Sequence, residues 1–113
     1  MVADKAVTAD DLAAEPVEIV KVVLDDKGAC MFVGSLTADD FVEWTEAREA
    51  GGPESKKNAA ALLIVRSLVK GEKDATRIGT DAMIPKFRAT KVAKTEKLLK
   101  AIFALNGINQ KNA

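Results

Sequence analysis

The groups with which this chain could do chemistry are seventeen carboxylates, seventeen Lys or Arg side chains and one cysteine; histidine is absent. Without histidine the chain lacks the usual near-neutral acid–base group and the commonest metal ligand. Adjacent carboxylates include Asp25-Asp26 and Asp39-Asp40. Two carboxylates side by side could work as an acid–base pair, but each pair here also has a local structural role. Asp25-Asp26-Lys27-Gly28 reads as a turn, and Asp39-Asp40 falls in the first turn of a helix. Cys30 sits in an apolar run with no cation beside it in sequence, which fits a small buried hydrophobe better than an activated thiol. No serine lies in a nucleophile motif, and no residues show metal-ligand spacing. The stretch Gly71–Gly79, GEKDATRIG, is polar, and no Gly-Lys-Ser/Thr follows it, so it is not a phosphate-binding loop. A non-catalytic protein without cofactor or metal is therefore expected.

The remaining chemistry is that of binding. Lys86, Arg88, Lys91, Lys94, Lys97 and Lys100 form a basic run in the last third of the chain. Such a run can meet phosphates, but only Phe87 is interleaved with it, and tyrosine is absent. A charged, solvated outer face on a terminal helix is the usual meaning of such a run. Trp44, the single tryptophan, fits a core anchor or a binding hot spot.

The elements that must position these groups are organised around Asn58–Val69, NAAALLIVRSLV, nine of whose twelve residues are apolar. Alanine and leucine favour helix, and a helix apolar nearly all round belongs inside a core. Lys70-Gly71 is expected to end it with a left-handed cap. The run is too short to span a bilayer. Leu63→Ala or Val65→Asp should unfold the protein.

Around that helix the local signals are distinct. Thr8-Ala9-Asp10-Asp11 caps one short turn, stopped by Pro16. Val17–Leu24 and Ala29–Val33, rich in β-branched and apolar residues, read as a hairpin joined at Gly28. Thr37 with Asp40 is a capping box, Leu36 and Phe41 stand at staple positions, and the helix runs to about Ala50 before Gly51-Gly52-Pro53. Lys56 and Lys57 fall in the first turn of the central helix, where the dipole disfavours cations. The acidic preceding helix or a partner could hold them. Thr80–Ala89 predicts a short or kinked helix because of Pro85, with Met83, Ile84 and Phe87 as an apolar patch. Val92–Asn106 is amphipathic, and Gly107-Ile108 predicts a Schellman end touching Phe103.

A chain of 113 residues with 48% hydrophobic and 30% charged residues fits one soluble domain, here residues 1–113 with 1–7 and 109–113 loose. The polar, acidic N-terminus is unlike a secretory signal, and the single cysteine suits a reducing cytosol. Net charge is zero but unevenly spread: residues 1–50 carry −8 and residues 51–113 carry +8. Such halves can pair internally or favour self-association.

Taken in order, these strings resemble the tail assembly chaperones of long-tailed (siphovirus-type) bacteriophages and prophages. The likeness rests on TADDLAAEPVEI at Thr8–Ile19, the hairpin, SLTADDFVEW at Ser35–Trp44, and LIVRSLV at Leu63–Val69. It continues through Thr80-Asp81 and closes with ALNGI at Ala104–Ile108, so it spans about residues 8–108. The chain departs from the pattern in the loop Gly71–Gly79, which lacks an aspartate-rich turn, and at Pro85. The resemblance implies a non-catalytic assembly factor of the bacterial host cytoplasm, absent from the mature virion. It would bind the tape-measure protein, keep it soluble and help recruit tail-tube subunits. A longer frameshifted form often accompanies such proteins, and this chain would be the short one. The family shares no ligand motif, so no site residues carry over.

The expectation is an α+β fold, mostly helical, with an N-terminal β-hairpin packed on about four helices around a buried central one. The partner-binding site expected from the residues themselves is an apolar groove near Trp44, Met83 and Phe87, flanked by Lys94 and Lys97. The alternative is a small nucleic-acid-binding regulator using the basic C-terminal helix; nucleic acid and membrane are both disfavoured as partners.

Overall fold

The computed structural model describes residues 4–108. The expected looseness of 109–113 lies outside the described residues, as does that of residues 1–3; residues 4–7 are exposed and without regular structure. The short α1 (Ala9–Ala13) opens with reciprocal bonds: the Asp11 N–H donates to the Thr8 hydroxyl and the Thr8 N–H to the Asp11 carboxylate. No side chain of α1 is buried. Strands β1 (Ile19–Val23) and β2 (Cys30–Gly34) pair antiparallel, with Val20 opposite Val33 and Val22 opposite Met31. Their turn is set by Asp25, whose carboxylate accepts from the Lys27 and Ala29 N–H groups, and by Gly28 at φ +90°.

Helix α2 (Ala38–Glu49) begins at the capping box expected from sequence, with Thr37 and Asp40 exchanging bonds. Pro53 opens α3 (Pro53–Ser67), where its fixed φ suits the first turn. Strands β3 (Leu68–Gly71) and β4 (Asp74–Arg77) follow. A single 3-10 turn, Asp81–Met83, leads into α4 (Ile84–Arg88), and α5 (Val92–Asn106) closes the fold. Gly107 takes φ +67° and the Ile108 N–H reaches the Phe103 carbonyl at 2.9 Å, the expected Schellman end.

The architecture is α+β, with one antiparallel sheet in the order β1-β2-β3-β4. Two β-hairpins lie side by side, and the helical pair α2–α3 is inserted between them. Residues at β-sheet spacing divide the faces. Val22, Val33 and Leu68 turn inward to meet Trp44, Leu63, Ile64, Leu98 and Ile102 in one core. Helix α5 lies against β1 and β2 on this inner side.

The structure corrects four expectations. The central helix ends at Ser67, and Leu68–Gly71 is a strand with Leu68 opposite Val33 and Val69 opposite Phe32. The Ser67 hydroxyl donates to the Leu63 carbonyl at 2.8 Å, and the Leu68 N–H makes the last helical bond before the backbone extends. Leu68 and Val69 are 2% and 3% exposed, so the run stays apolar through the change and gives no periodicity to mark it. Gly71 accordingly makes no left-handed cap; the positive-φ glycines among the described residues are Gly28 and Gly107. The expected polar loop Gly71–Gly79 contains β4, an edge strand with mostly exposed side chains and a charged residue at each end, so the sheet is larger than the expected hairpin. Cys30 is half-buried, not buried, because it faces the outer side with Val23.

Gly79 is the tightest point outside the core. A Cβ there would lie 1.9 Å from the Val65 carbonyl oxygen of α3, which is backbone and cannot swing away. Gly79→Ala should therefore lower the urea unfolding free energy by about 1–3 kcal/mol or more. Gly51→Ala, which meets nothing within 4 Å, should stay within about 0.5 kcal/mol of wild type. Leu63→Ala, at 1% exposure, should cost about 2–5 kcal/mol in the same measurement.

Candidate partner-binding groove

Helix α2 carries the acidic half of the molecule into contact with the basic half. Asp40, nearly buried, receives both terminal nitrogens of Arg77 from β4. Burial works against the Asp40 charge, but the bonds from Arg77 and from the Thr37 N–H and hydroxyl outweigh it and hold the carboxyl below its ordinary value of 3.8. One turn on, Glu43 accepts from Arg66 of α3 at 2.8 Å, and the same guanidinium donates to Asp81 at 2.8 Å. Hydrogen bonds from Arg66, first to Glu43 and then to Asp81, raise its proton affinity against the opposing effect of burial. These pairs fix α2 against β4, α3 and the 3-10 turn.

The other side of α2 faces a groove. Trp44 stacks at a tilt on Phe103 with ring centroids 5.8 Å apart, meets Phe41 edge-on at 5.8 Å, and carries the Arg48 guanidinium 4.6 Å above its ring. Beside it opens a hollow of about 620 Å³, floored by Ala59, Ala60, Leu99 and Phe103. A second hollow, of about 230 Å³, lies between α3, α4 and α5 and includes Ile64, Phe87 and Val92. The two adjoin at Ala60 and Leu99, which line both, so a shallow groove runs across α3 and α5 with these residues at its middle. Its depth comes from Ala59-Ala60-Ala61: three small side chains in succession leave space that leucines would fill.

The structure brings two of the expected site residues to this groove. Trp44 lines one hollow and Phe87 the other. Trp44 is only 4% exposed, so it is a wall rooted in the core rather than a free surface residue. Met83 packs against the core and lines neither hollow. Lys94 and Lys97 do not flank the groove. Lys94 approaches Asp25 at 3.9 Å, and Lys97 donates to the Leu24 carbonyl at 3.2 Å, so both hold α5 to the β1–β2 turn. The helical screw explains this: Lys97 precedes Leu99 by two residues, about 200° around the helix. The cations that do line the groove are Arg48, Lys56, Lys57 and Arg88. Sequence reasoning missed Ala60, Leu99 and Phe103 as its floor; the run of three alanines inside a leucine-rich helix was the available signal.

The fold resembles that of a phage tail assembly chaperone. The solved structure of the tail assembly chaperone of bacteriophage HK97 superposes with a TM-score of 0.57, covering 85% of this chain and 94% of that one at 16% identity. At that identity the likeness is one of fold. No protein-family model matches the chain, and no curated protein matches it in sequence. Among the described residues no helix is long and apolar enough to cross a membrane.

The Asp40 pair sets a pH dependence. Because the folded-state pKa lies below the unfolded value, the unfolded chain binds more protons in acid, and the stabilisation is lost as pH falls below about 4. Thermal melts from neutral pH downward should show this loss. Asp40→Asn should lower the neutral-pH melting temperature and flatten the acid limb.

Proposed function

We propose that this chain is a tail assembly chaperone of a long-tailed bacteriophage or prophage. It acts without catalysis, binding the tape-measure protein in the host cytoplasm, keeping that long chain soluble and helping to recruit tail-tube subunits, and it is left out of the mature virion. The observation that carries the reading is the shared fold over nearly the whole of both chains. The groove between Trp44 and Phe87 supports it from the chemical side. An open apolar trough across two helices suits an amphipathic helix of a partner better than a small molecule. The basic run gives less support to nucleic-acid binding, because Arg88, Lys94 and Lys100 lie within 4 Å of Glu54, Asp25 and Glu96, and Lys97 is bonded to a backbone carbonyl.

The test is co-expression with the tape-measure protein of the same genome, followed by pull-down and size-exclusion chromatography. A soluble co-eluting complex is expected where the tape-measure protein alone precipitates. A well-folded protein that forms no complex, yet binds DNA with steep salt dependence, would replace this reading with the nucleic-acid one.

A further inference from the structure

We propose that the groove over Ala60 and Leu99 is selective for an acidic amphipathic helix, an inference that rests on the chaperone reading and adds the chemistry of the partner segment. The floor is apolar, formed by Ala59, Ala60, Leu99 and Phe103. The rim is cationic. Arg48 and Lys56 line one hollow, Lys57 and Arg88 the other, and Glu49 is the one carboxylate lining either.

Lys56 and Lys57 are the informative pair. They sit in the first turns of α3, at the positive end of the helix dipole, where a cation is disfavoured. The helix gets no help from its cap, since Gly52 supplies no side-chain bond. Of the acids of α2, Asp40 is taken by Arg77 and Glu43 by Arg66, and Glu49, which lines the same hollow as Lys56, makes no ion pair with it within 4.0 Å. Lys57 comes only to 4.0 Å from Glu54, a carboxylate that Arg88 already engages at 2.8 Å. Lys56 has no carboxylate within 4.0 Å among the described residues. Both lysines are exposed and lack a close internal acid of their own, so their charge is open to an acidic partner laid in the groove.

The shape selects a helix. Alanines on α3 allow a second helix to approach at the short end of the usual 8–10 Å range. The apolar strip continues past Leu99 to Phe87 and to Val92, which is 75% exposed. A helix laid along it would place apolar residues at i, i+3, i+4 and i+7 on the floor and acids at both flanks against the rim.

The test uses two labelled synthetic helices of about eighteen residues, about five turns, with the same leucine stripe. One carries Glu on the polar face and the other Lys. Fluorescence anisotropy with the full chain should show the Glu helix binding at least about tenfold tighter, with affinity falling as salt rises. The double variant Lys56→Glu/Lys57→Glu should lose at least about tenfold in Glu-helix affinity. Its melting temperature should hold or rise, because acids suit that end of α3. Ala60→Trp, at an exposed position, should fill the trough and block binding. Equal affinity for the Lys helix, or undiminished Glu-helix binding by the double variant, would overturn the inference. The two readings fail separately. A tape-measure complex that survives Lys56→Glu/Lys57→Glu leaves the chaperone function standing and removes this groove from it. Selective Glu-helix binding with no tape-measure complex does the reverse.

Discussion

Between Leu63 and Val69 every residue but Arg66 is buried while the backbone changes from helix to strand, and Ser67 stands at the change. The two halves of the molecule are joined there. Upstream, α3 supplies the central helix of the core; downstream, β3 supplies the strand that couples one β-hairpin to the other. An isolated hairpin is marginal in water. Pairing β2 with β3 turns two marginal hairpins into one sheet whose inner face α5 can cover. Gly79 belongs to the same constraint, because its backbone lies directly on the α3 carbonyl of Val65.

The separation of charge along the sequence has a definite structural outcome. Part of it is neutralised within the fold, where Arg77 and Arg66 from the basic half meet Asp40 and Glu43 from the acidic half. Asp40 shows how one residue serves two levels. It caps the N-terminus of α2 and is also the nearly buried partner of β4. Lys94 and Lys97 likewise act internally, at the β1–β2 turn. Of the remaining cations, Lys56 and Lys57 stand at the start of α3 on the groove rim.

What could be read from the sequence was decided by how local each cause is. The two capping boxes, the turn at Gly28, the break at Gly51-Gly52-Pro53 and the end at Gly107-Ile108 each depend on residues a few positions apart, and all are visible as strings. The change at Ser67 was not visible, because a short strand buried on both faces shows the same apolar composition as a buried helix, and Arg66-Ser67 alone does not mark a helix end. Strand β4 was hidden for the opposite reason: at an exposed edge its side chains need no alternation. The groove was half legible. Trp44 and Phe87 stood out by type, but the neighbours that join their hollows are alanines and a leucine, distinguished only by tertiary position. The error over Lys94 and Lys97 had the same source, since a helical wheel orders residues without saying which flank meets a neighbour.

Trp44 is the single tryptophan in a chain without tyrosine, and it forms one wall of the groove beneath Arg48. The near-ultraviolet spectrum of this protein is therefore dominated by one chromophore at one address. A ligand settling between α3 and α5 would alter the polarity and the cation above that ring, whereas events at the outer face of the sheet would leave it untouched. The molecule carries its own optical gauge of groove occupancy, with no label to attach and no second indole to subtract.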